Sequence, residues 1–218
     1  MKRVVIIGNG EFPRKEYPRH VIREADAVVC CDRGAARFVR ASERIFGRLR
    51  LPDAVVGDMD SLSRRFCDLL SDRIVRIEEQ DDNDQTKAFR YVLEHYPDVS
   101  EIHILGATGL REDHTVGNLG LLMEYARRFD LTGISVDMIS DYSTAFALTD
   151  TAELHLGAGR RVSIFSPDNS LKITSEGLRW QTSGVVFDNW WPATLNRAVD
   201  DIVTLRFSHP SVALVILD

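Results

Sequence analysis

The sequence predicts an α/β fold, in which a doubly wound, mostly parallel sheet domain is followed by a small antiparallel β-sandwich domain. Over the first two-thirds of the chain, short apolar, β-branched runs alternate with helix-like stretches, as in parallel sheets joined by helices. From about residue 144 the helix patterns vanish, and short apolar runs are separated by Gly, Pro, Asn and Asp, which favours antiparallel strands. We therefore expect an α/β domain over residues 1–145 and a β-sandwich over residues 146–218.

The individual elements follow from the same patterns. In the first domain, strands are expected at residues 4–7, 27–30, 54–56, 74–77, 102–105 and 134–139. Helices are expected near residues 17–25, 34–46, 62–71, 85–96 and 114–129. The clearest helix carries an apolar stripe at helical spacing, formed by Phe89, Val92, Leu93 and Tyr96. In the second domain, strands are expected at runs such as 153–156, 161–165 and 211–217.

Composition limits the classes of function. The chain has 218 residues, of which 44% are hydrophobic, and a formal net charge of −6. An acidic chain repels phosphate backbones, so we expect no nucleic-acid partner. No segment approaches the length of a membrane span, and the first apolar run is too short for a signal peptide, so we expect a cytoplasmic protein without membrane association. Its three cysteines lack metal or disulfide spacing.

Polar residues collect in the loops that follow the first five predicted strands. Each loop carries glycine, acid, amide or base, at residues 8–10, 31–35, 57–61, 79–87 and 106–114. Because ligands of open α/β sheets bind beyond the carboxyl ends of the strands, these loops predict a ligand site at one edge of the sheet. Any one of them alone could be a helix cap or a turn.

Asp58 and Asp60 follow the third predicted strand directly. If the chain stays extended as far as Asp60, the two carboxylates point the same way, roughly 6.6 Å apart along the chain. They then repel each other by about 2.5 kcal/mol at an effective dielectric constant of about 20. A cation between them would offset that repulsion, whereas the alternative is a pair of solvated loop aspartates.

The loop after the fourth strand also allows two interpretations. Asp84 can be the N-cap of the following helix, and Asp81 can be a solvated loop charge. Lys87 lies in the first helical turn, where the helix dipole disfavours a cation by about 0.3–1 kcal/mol. A bound phosphate or neighbouring carboxylates would compensate, whereas the alternative is a solvated lysine paired with Asp84.

In the fifth loop, Gly106 and Gly109 allow close approach of the backbone to a ligand, and Arg111 can fork onto phosphate oxygens. Asp113 can either cap the next helix or bind a metal. The chain has no P-loop, no complete dinucleotide fingerprint and no nucleophile elbow. A carboxylate-rich site with one Arg and one Lys suits Mg²⁺ and a polyphosphate.

Four segments, in this order, resemble the thiamine pyrophosphokinase family: residues 31–35, 56–61, 80–87 and 106–115. A further match is Gly177-Leu178-Arg179-Trp180. The resemblance implies transfer of diphosphate from MgATP to the hydroxyethyl group of thiamine, with AMP as the second product. It also implies a nucleotide-binding α/β domain, a thiamine-binding β-sandwich and a homodimer with its sites at the subunit interface.

The resemblance further implies roles for matching side chains. The implied metal ligands are Asp58, Asp60, Asp81 and Asp84, and the implied catalytic residues are Asp58, Asp60 and Asp84. ATP and its phosphates would be bound by Asp32, Gly34, Gln80, Lys87, Gly106, Arg111 and Asp113. Thiamine would be bound by Trp180 and Asn196. An indole face attracts a cation such as thiazolium by roughly 0.5–2 kcal/mol; the alternative for Trp180 is a core position in the sandwich.

Several positions depart from the family pattern. Arg33 and Leu110 stand where the family commonly has glycine, Ala36 stands where it usually has asparagine, and Thr194-Leu195-Asn196 replaces an expected Ser-Asn pair. The last change leaves open a pterin alcohol as the acceptor. A third hypothesis is a non-catalytic thiamine or nucleotide sensor, although binding alone does not need so many carboxylates.

Overall fold

A computed structural model describes residues 1–218, and packing divides them into two compact units. The first unit comprises residues 1–118 and 132–141, and the second comprises residues 119–131 and 142–218. The expected domain boundary between residues 145 and 146 stays a prediction. None of the helices combines the length and hydrophobicity that crossing a membrane requires.

Six parallel strands form the sheet of the first unit. They are β1 (Lys2–Ile7), β2 (Ala27–Cys31), β3 (Ala54–Gly57), β4 (Ile74–Arg76), β5 (Val99–Leu105) and β6 (Ser135–Ile139). Their order is β6-β5-β1-β2-β3-β4, and every pairing between them is parallel. The chain builds the sheet outward in both directions from β1, which confirms the predicted doubly wound sheet. The switch point, where ligands bind in such folds, lies beyond the carboxyl ends of β1 and β5.

The helices of this region lie close to their predicted positions. They are α1 (Glu16–Arg23), α2 (Gly34–Phe46), α3 (Arg64–Leu69), α4 (Asp84–His95) and α5 (Glu112–Arg128). The alternative in which Asp84 caps α4 is wrong, because Asn83 is the cap: its side chain accepts a hydrogen bond from the backbone N–H of Thr86 at 2.9 Å. Asp84 is the first helical residue, and its carboxylate is therefore not used as the cap.

The second unit contains two antiparallel sheets. Its strands are β7 (Thr144–Leu148), β8 (Ala152–His155), β9 (Arg161–Phe165), β10 (Ile173–Glu176), β11 (Ala193–Arg197), β12 (Ile202–Phe207) and β13 (Ala213–Leu217). Within this unit, one antiparallel layer has the strand order β11-β9-β13-β7 and the other has the order β10-β12-β8. Side chains from both sheets share one core, including Ile164, Ile173, Leu205 and Val215. This confirms the predicted β-sandwich; β10 and β12, which the sequence patterns did not single out, alternate buried and less buried residues.

Candidate active site

A cavity of about 410 Å³ is lined by the loops at the carboxyl edge of the parallel sheet. All five loops that carry polar residues in the sequence contribute to its lining, among them Asn9, Asp32, Ser61, Asp84 and Arg111. The loops meet there because the carboxyl ends of parallel strands lie at one edge of the sheet.

Glycines allow the loops around the switch point to pack closely. A side chain on Gly10 would place its Cβ 2.6 Å from the carbonyl oxygen of Gly106, and one on Gly34 would lie 2.5 Å from that of Ile7. Gly106 itself has a φ of +63°, which glycine adopts without steric cost. Gly34 and Gly106 thus hold the loops together without lining the cavity, and their ATP contacts stay a prediction.

The centre of the site is a pair of neighbouring carboxylates, Asp32 and Asp84. Asp32 is only 4% exposed, and its Oδ2 accepts hydrogen bonds from the backbone N–H of Ser61 at 3.1 Å and from the Ser61 hydroxyl at 2.6 Å. Its Oδ1 is buried without a hydrogen-bond partner. A Cβ on Gly57 would lie 3.2 Å from Asp84 Oδ1 and 3.3 Å from Asp32 Cβ, so the missing side chain of Gly57 leaves room for both aspartates.

The electrostatics of this pair are unfavourable without a ligand. Burial raises the pKa of the Asp84 carboxyl, and the negative charge of Asp32 raises it further, while Lys87 partly offsets both. A buried acceptor without a donor costs about 1–3 kcal/mol. The unpartnered oxygen of Asp32 and the repulsion between the carboxylates both indicate a site built to receive a donor or a cation.

Lys87 lies beneath this pair rather than in solvent. It is 2% exposed, and its Nζ donates to the carbonyl oxygen of Ile77 at 3.3 Å and lies 3.8 Å from Asp84 Oδ1. The solvated lysine considered from the sequence is therefore wrong, because the ammonium group is buried against Asp84. Its contact with phosphate stays a prediction.

The segment Asp58-Met59-Asp60 does not continue the strand, so the expectation of two parallel side chains on an extended backbone is wrong. The strand β3 ends at Gly57, and Met59 has a left-handed backbone with φ of +69°. The turn lets the backbone N–H of Asp60 donate to Asp58 Oδ1 at 3.0 Å. That hydrogen bond is the main reason why the pKa of Asp58 is lowered.

Gln80 and Asp81 lie in an exposed loop near Asp58. The amide of Gln80 lies 3.4 Å from Asp58 Oδ2. The loop is held by Glu79, which accepts hydrogen bonds from the backbone N–H of Asp81 at 2.9 Å and from Arg90 at 2.6 Å. Neither Gln80 nor Asp81 lines the cavity, and their roles toward phosphate and metal stay predictions.

Arg111 lines the cavity and pairs with Asp113, which does not line it. Arg111 Nε donates to Asp113 Oδ1 at 3.1 Å, and both side chains are exposed. The pairing raises the pKa of Arg111 and lowers that of Asp113. Asp113 is not the helix cap, because α5 begins one residue earlier, at Glu112.

No group of three or more His, Cys, Asp or Glu side chains is arranged to hold a metal ion by itself. Mg²⁺, however, is commonly held by one or two carboxylates together with substrate phosphates rather than by a complete protein cage. The carboxylate oxygens of Asp84 and the unpartnered oxygen of Asp32 are ligands of the type that Mg²⁺ prefers. Metal ligation by Asp58, Asp60, Asp81 and Asp84 stays a prediction.

The second unit carries a separate cavity of about 310 Å³, lined in part by Trp180, Pro192, Leu195 and Asn196. Trp180 is 55% exposed, so the alternative of a core tryptophan is wrong. Asn196 is buried and fixes the backbone of Trp180: Nδ2 donates to the Trp180 carbonyl oxygen at 2.6 Å, and Oδ1 accepts from its N–H at 3.1 Å. Asn196 thereby positions the exposed indole.

Backbone strain marks both cavities. The four non-glycine residues with left-handed φ values are Asp32, Met59, Leu110 and Leu195. Each such backbone conformation lowers the stability of the fold by about 1–3 kcal/mol, and it persists where the surrounding structure holds the residue in place. Asp32 and Leu110 line the first cavity, and Leu195 lines the second, at a bulge in the pairing of β11 with β9.

Comparison with known families decides what this arrangement belongs to. Residues 18–132, more than half of the chain, match the model described as thiamin pyrophosphokinase, catalytic domain. Residues 145–211 match the model described as thiamin pyrophosphokinase, substrate-binding domain. The chain belongs to the thiamin pyrophosphokinase family. This confirms the resemblance seen in the sequence, the predicted enzyme class of thiamine diphosphokinase, and the ATP-dependent transfer of diphosphate to thiamine.

Individual thiamin pyrophosphokinases are similar over most of the chain. Thiamine pyrophosphokinase 1 of Oryza sativa subsp. japonica is 28% identical over 200 residues, which cover 81% of this chain and 72% of the rice protein. Thiamine pyrophosphokinase 1 of Arabidopsis thaliana is 29% identical over 203 residues, which cover 82% and 72%. The fold matches thiamin pyrophosphokinase from Candida albicans with a TM-score of 0.82 at 17% identity, over 99% of this chain and 88% of that one.

Several residues around the thiamin pyrophosphokinase cavity were not among the site residues expected from the sequence. Ser61 orients Asp32, Asn83 frees Asp84 from capping, and Arg33 and Arg37 line the cavity. Arg37 follows Arg33 by one helical turn, and this spacing was the available sequence signal. The pairing of Ser61 with Asp32 joins two different loops, and no local pattern could have indicated it.

Proposed function

We propose that this thiamin pyrophosphokinase transfers diphosphate from MgATP to thiamine at the cavity around Asp32 and Asp84, giving thiamine diphosphate and AMP. The observation that carries the proposal is the Asp32–Asp84 pair, with one buried oxygen lacking a donor and a raised pKa at Asp84. An uncompensated pair of carboxylates at the switch point suits a cation-bridged polyphosphate.

Asp58 and Asp60 are the residues we propose to hold Mg²⁺. Asp81 and Asp84 are the further ligands implied by the sequence, and we propose Asp84 for the proton transfer instead. The negative charges of Asp32, Asp58 and Asp60 each raise the pKa of Asp84, so the four carboxylates lie close enough to interact electrostatically. When bound, the ion supplies neutralisation of the phosphate charge.

We propose that Asp84 accepts the proton of the thiamine hydroxyl as the hydroxyl oxygen bonds to the β-phosphorus. The bond between that phosphorus and the oxygen bridging to the α-phosphate breaks, and AMP leaves. A raised pKa makes Asp84 a stronger base than an ordinary aspartate. The ammonium group of Lys87, with Nζ 3.8 Å from Asp84 Oδ1, attracts the charged form of that carboxylate. The hydrogen bond from the Ser61 hydroxyl fixes the position of Asp32.

We propose that the exposed indole of Trp180 stacks on thiamine. Asn196 holds that indole in place through the backbone, and this supports a rigid platform. The surface near it carries further exposed apolar side chains, namely Val186, Trp190, Trp191 and Leu195. Such a surface supports the proposed homodimer, in which a second copy covers it.

We also propose a cytoplasmic location. The three cysteines are free, and Cys30 and Cys31 are buried, which suits a reducing compartment.

The test of the function is AMP release from MgATP, measured with thiamine and, separately, with a hydroxymethylpterin. We expect AMP with thiamine only, and none when EDTA removes the metal. AMP release with the pterin alone would overturn the acceptor assignment. Tight thiamine binding without AMP would instead support a sensor. As a probe of the acceptor site, Trp180→Ala should raise the KM for thiamine about tenfold and leave the KM for ATP unchanged.

A further inference from the structure

Three arginines line the cavity of the first unit, and they are not electrostatically equivalent. Arg111 is already engaged with the carboxylate of Asp113. Arg33 and Arg37 have no carboxylate partner. The single polar contact of Arg37 is its Nε, which donates to Asn9 Oδ1 at 3.2 Å and leaves the terminal guanidinium nitrogens unused.

The position of Arg33 and Arg37 adds to their charge. Arg33 occupies the N-cap of α2 and makes no side-chain cap, and the first turn of α2 holds no acidic residue. The positive end of a helix dipole favours an anion and disfavours a cation, so two arginines at the start of α2 are unfavourable without an anion beside them. The cavity lining therefore contains two guanidinium groups without an ion-pair partner, in addition to the acidic pair Asp32–Asp84.

We infer that Arg33 and Arg37 bind the phosphate oxygens of the nucleotide and thereby set the affinity for ATP. The inference rests on the proposed function, since it assigns the phosphate chain of ATP to this cavity. A polyphosphate carries more negative charge than one divalent ion offsets, and a guanidinium fork matches the remaining oxygens. The charge of Arg111 is already offset by Asp113, whereas Arg33 and Arg37 present guanidinium groups whose charge no carboxylate offsets.

The experiment compares Arg33→Gln and Arg37→Gln with Arg44→Gln as the matched control. Arg44 lies on the same face of α2 two turns further on, is exposed, and does not line the cavity. We expect each of the first two substitutions to raise the KM for ATP about tenfold, with kcat changed less than about twofold, because a lost charge-assisted hydrogen bond weakens binding by this order. The control should leave both constants unchanged.

Direct binding separates this inference from the proposed function. By calorimetry, Arg33→Gln and Arg37→Gln should weaken ATP about tenfold and leave adenosine unaffected; Arg37→Lys should recover part of the loss. If the wild type binds ATP in this arginine-dependent way but forms no thiamine diphosphate, the proposed function fails and the inference stands. If thiamine is converted normally but both substitutions behave as Arg44→Gln does, or if no ATP binds at all, the inference is overturned.

Discussion

In the first unit, the two edges of the parallel sheet differ in how completely their charged groups are paired. At the amino edge, charges are paired, Lys2 with Asp98 at 3.3 Å and Arg3 with Glu101 at 3.1 Å; farther along the strands, within β5 and β6, His103 Nδ1 lies 2.7 Å from Asp137. At the carboxyl edge, Asp32 keeps an unpartnered oxygen next to Asp84. The amino edge pairs its charges within the protein, whereas the carboxyl edge, although it contains the pairs Arg111–Asp113 and Lys87–Asp84, leaves an oxygen of Asp32 for a ligand.

Backbone geometry follows the same division. Left-handed non-glycine residues in this unit lie only in loops after β2, β3 and β5, at Asp32, Met59 and Leu110. No such residue lies at the amino edge. Because strain and uncompensated charge both lower stability, their confinement to the carboxyl edge is typical of a functional site. We therefore expect substitutions at the carboxyl edge to change the rate, and substitutions of paired charges elsewhere in the sheet to change stability.

The largest expected effect is that of Asp84→Asn on the rate. Loss of the proposed base should lower kcat by about 10²–10⁴-fold in the AMP-release assay. The free energy of unfolding should stay equal or rise, because the repulsion between Asp84 and Asp32 disappears. Near-normal turnover, or a large loss of stability, would contradict the division between the edges.

The titration of the Asp84 carboxyl in the metal-free protein should show the same unfavourable pair. Burial and the charge of Asp32 raise the pKa of Asp84, so this carboxyl should take up its proton at a higher pH than an ordinary aspartate, as followed by NMR. Asp32→Asn removes a negative neighbour and should move that titration to lower pH. A titration that stays in place in Asp32→Asn would contradict the repulsion between the two carboxylates.

Within β5, away from the carboxyl edge, His103→Gln should change stability rather than rate. Burial lowers the pKa of His103, but hydrogen bonds and charges from Asp137 and Glu101 outweigh it and raise the pKa above 6.5. The protonated ring therefore stabilises the fold below the unfolded pKa, and this contribution is lost as the pH rises through the higher folded pKa.

Denaturant titrations at pH 6 and pH 9 test this. The wild type should exceed His103→Gln by about 1 kcal/mol more at the lower pH, while kcat at neutral pH stays within about twofold. An equal difference in unfolding free energy at both pH values would show that the protonated His103 ring does not stabilise the fold.

The smallest effect is expected for Leu110→Gly. Leu110 is exposed with a φ of +77°, so glycine removes strain but adds freedom to the unfolded chain. The net gain in unfolding free energy should be about 0.5 kcal/mol, seen as a slightly higher Tm. The matched substitution Leu69→Gly, in the exposed last turn of α3, should lower the Tm instead.

The sequence by itself determined the sheet, its helices, the β-sandwich and the family. Those depend on periodicity and on short motifs, and each is carried by residues close together along the chain. It also brought the five loops to one edge, because parallel strands end at the same side.

Only the tertiary structure decided how those loops meet. The turn at Met59, the choice of Asn83 over Asp84 as cap, and the burial of Lys87 against Asp84 depend on contacts within and between loops. So does the contrast between Arg111, which pairs with Asp113, and Arg33, which keeps its charge free. Whether a charge is paired depends on distance in space, and a one-dimensional pattern does not contain that distance.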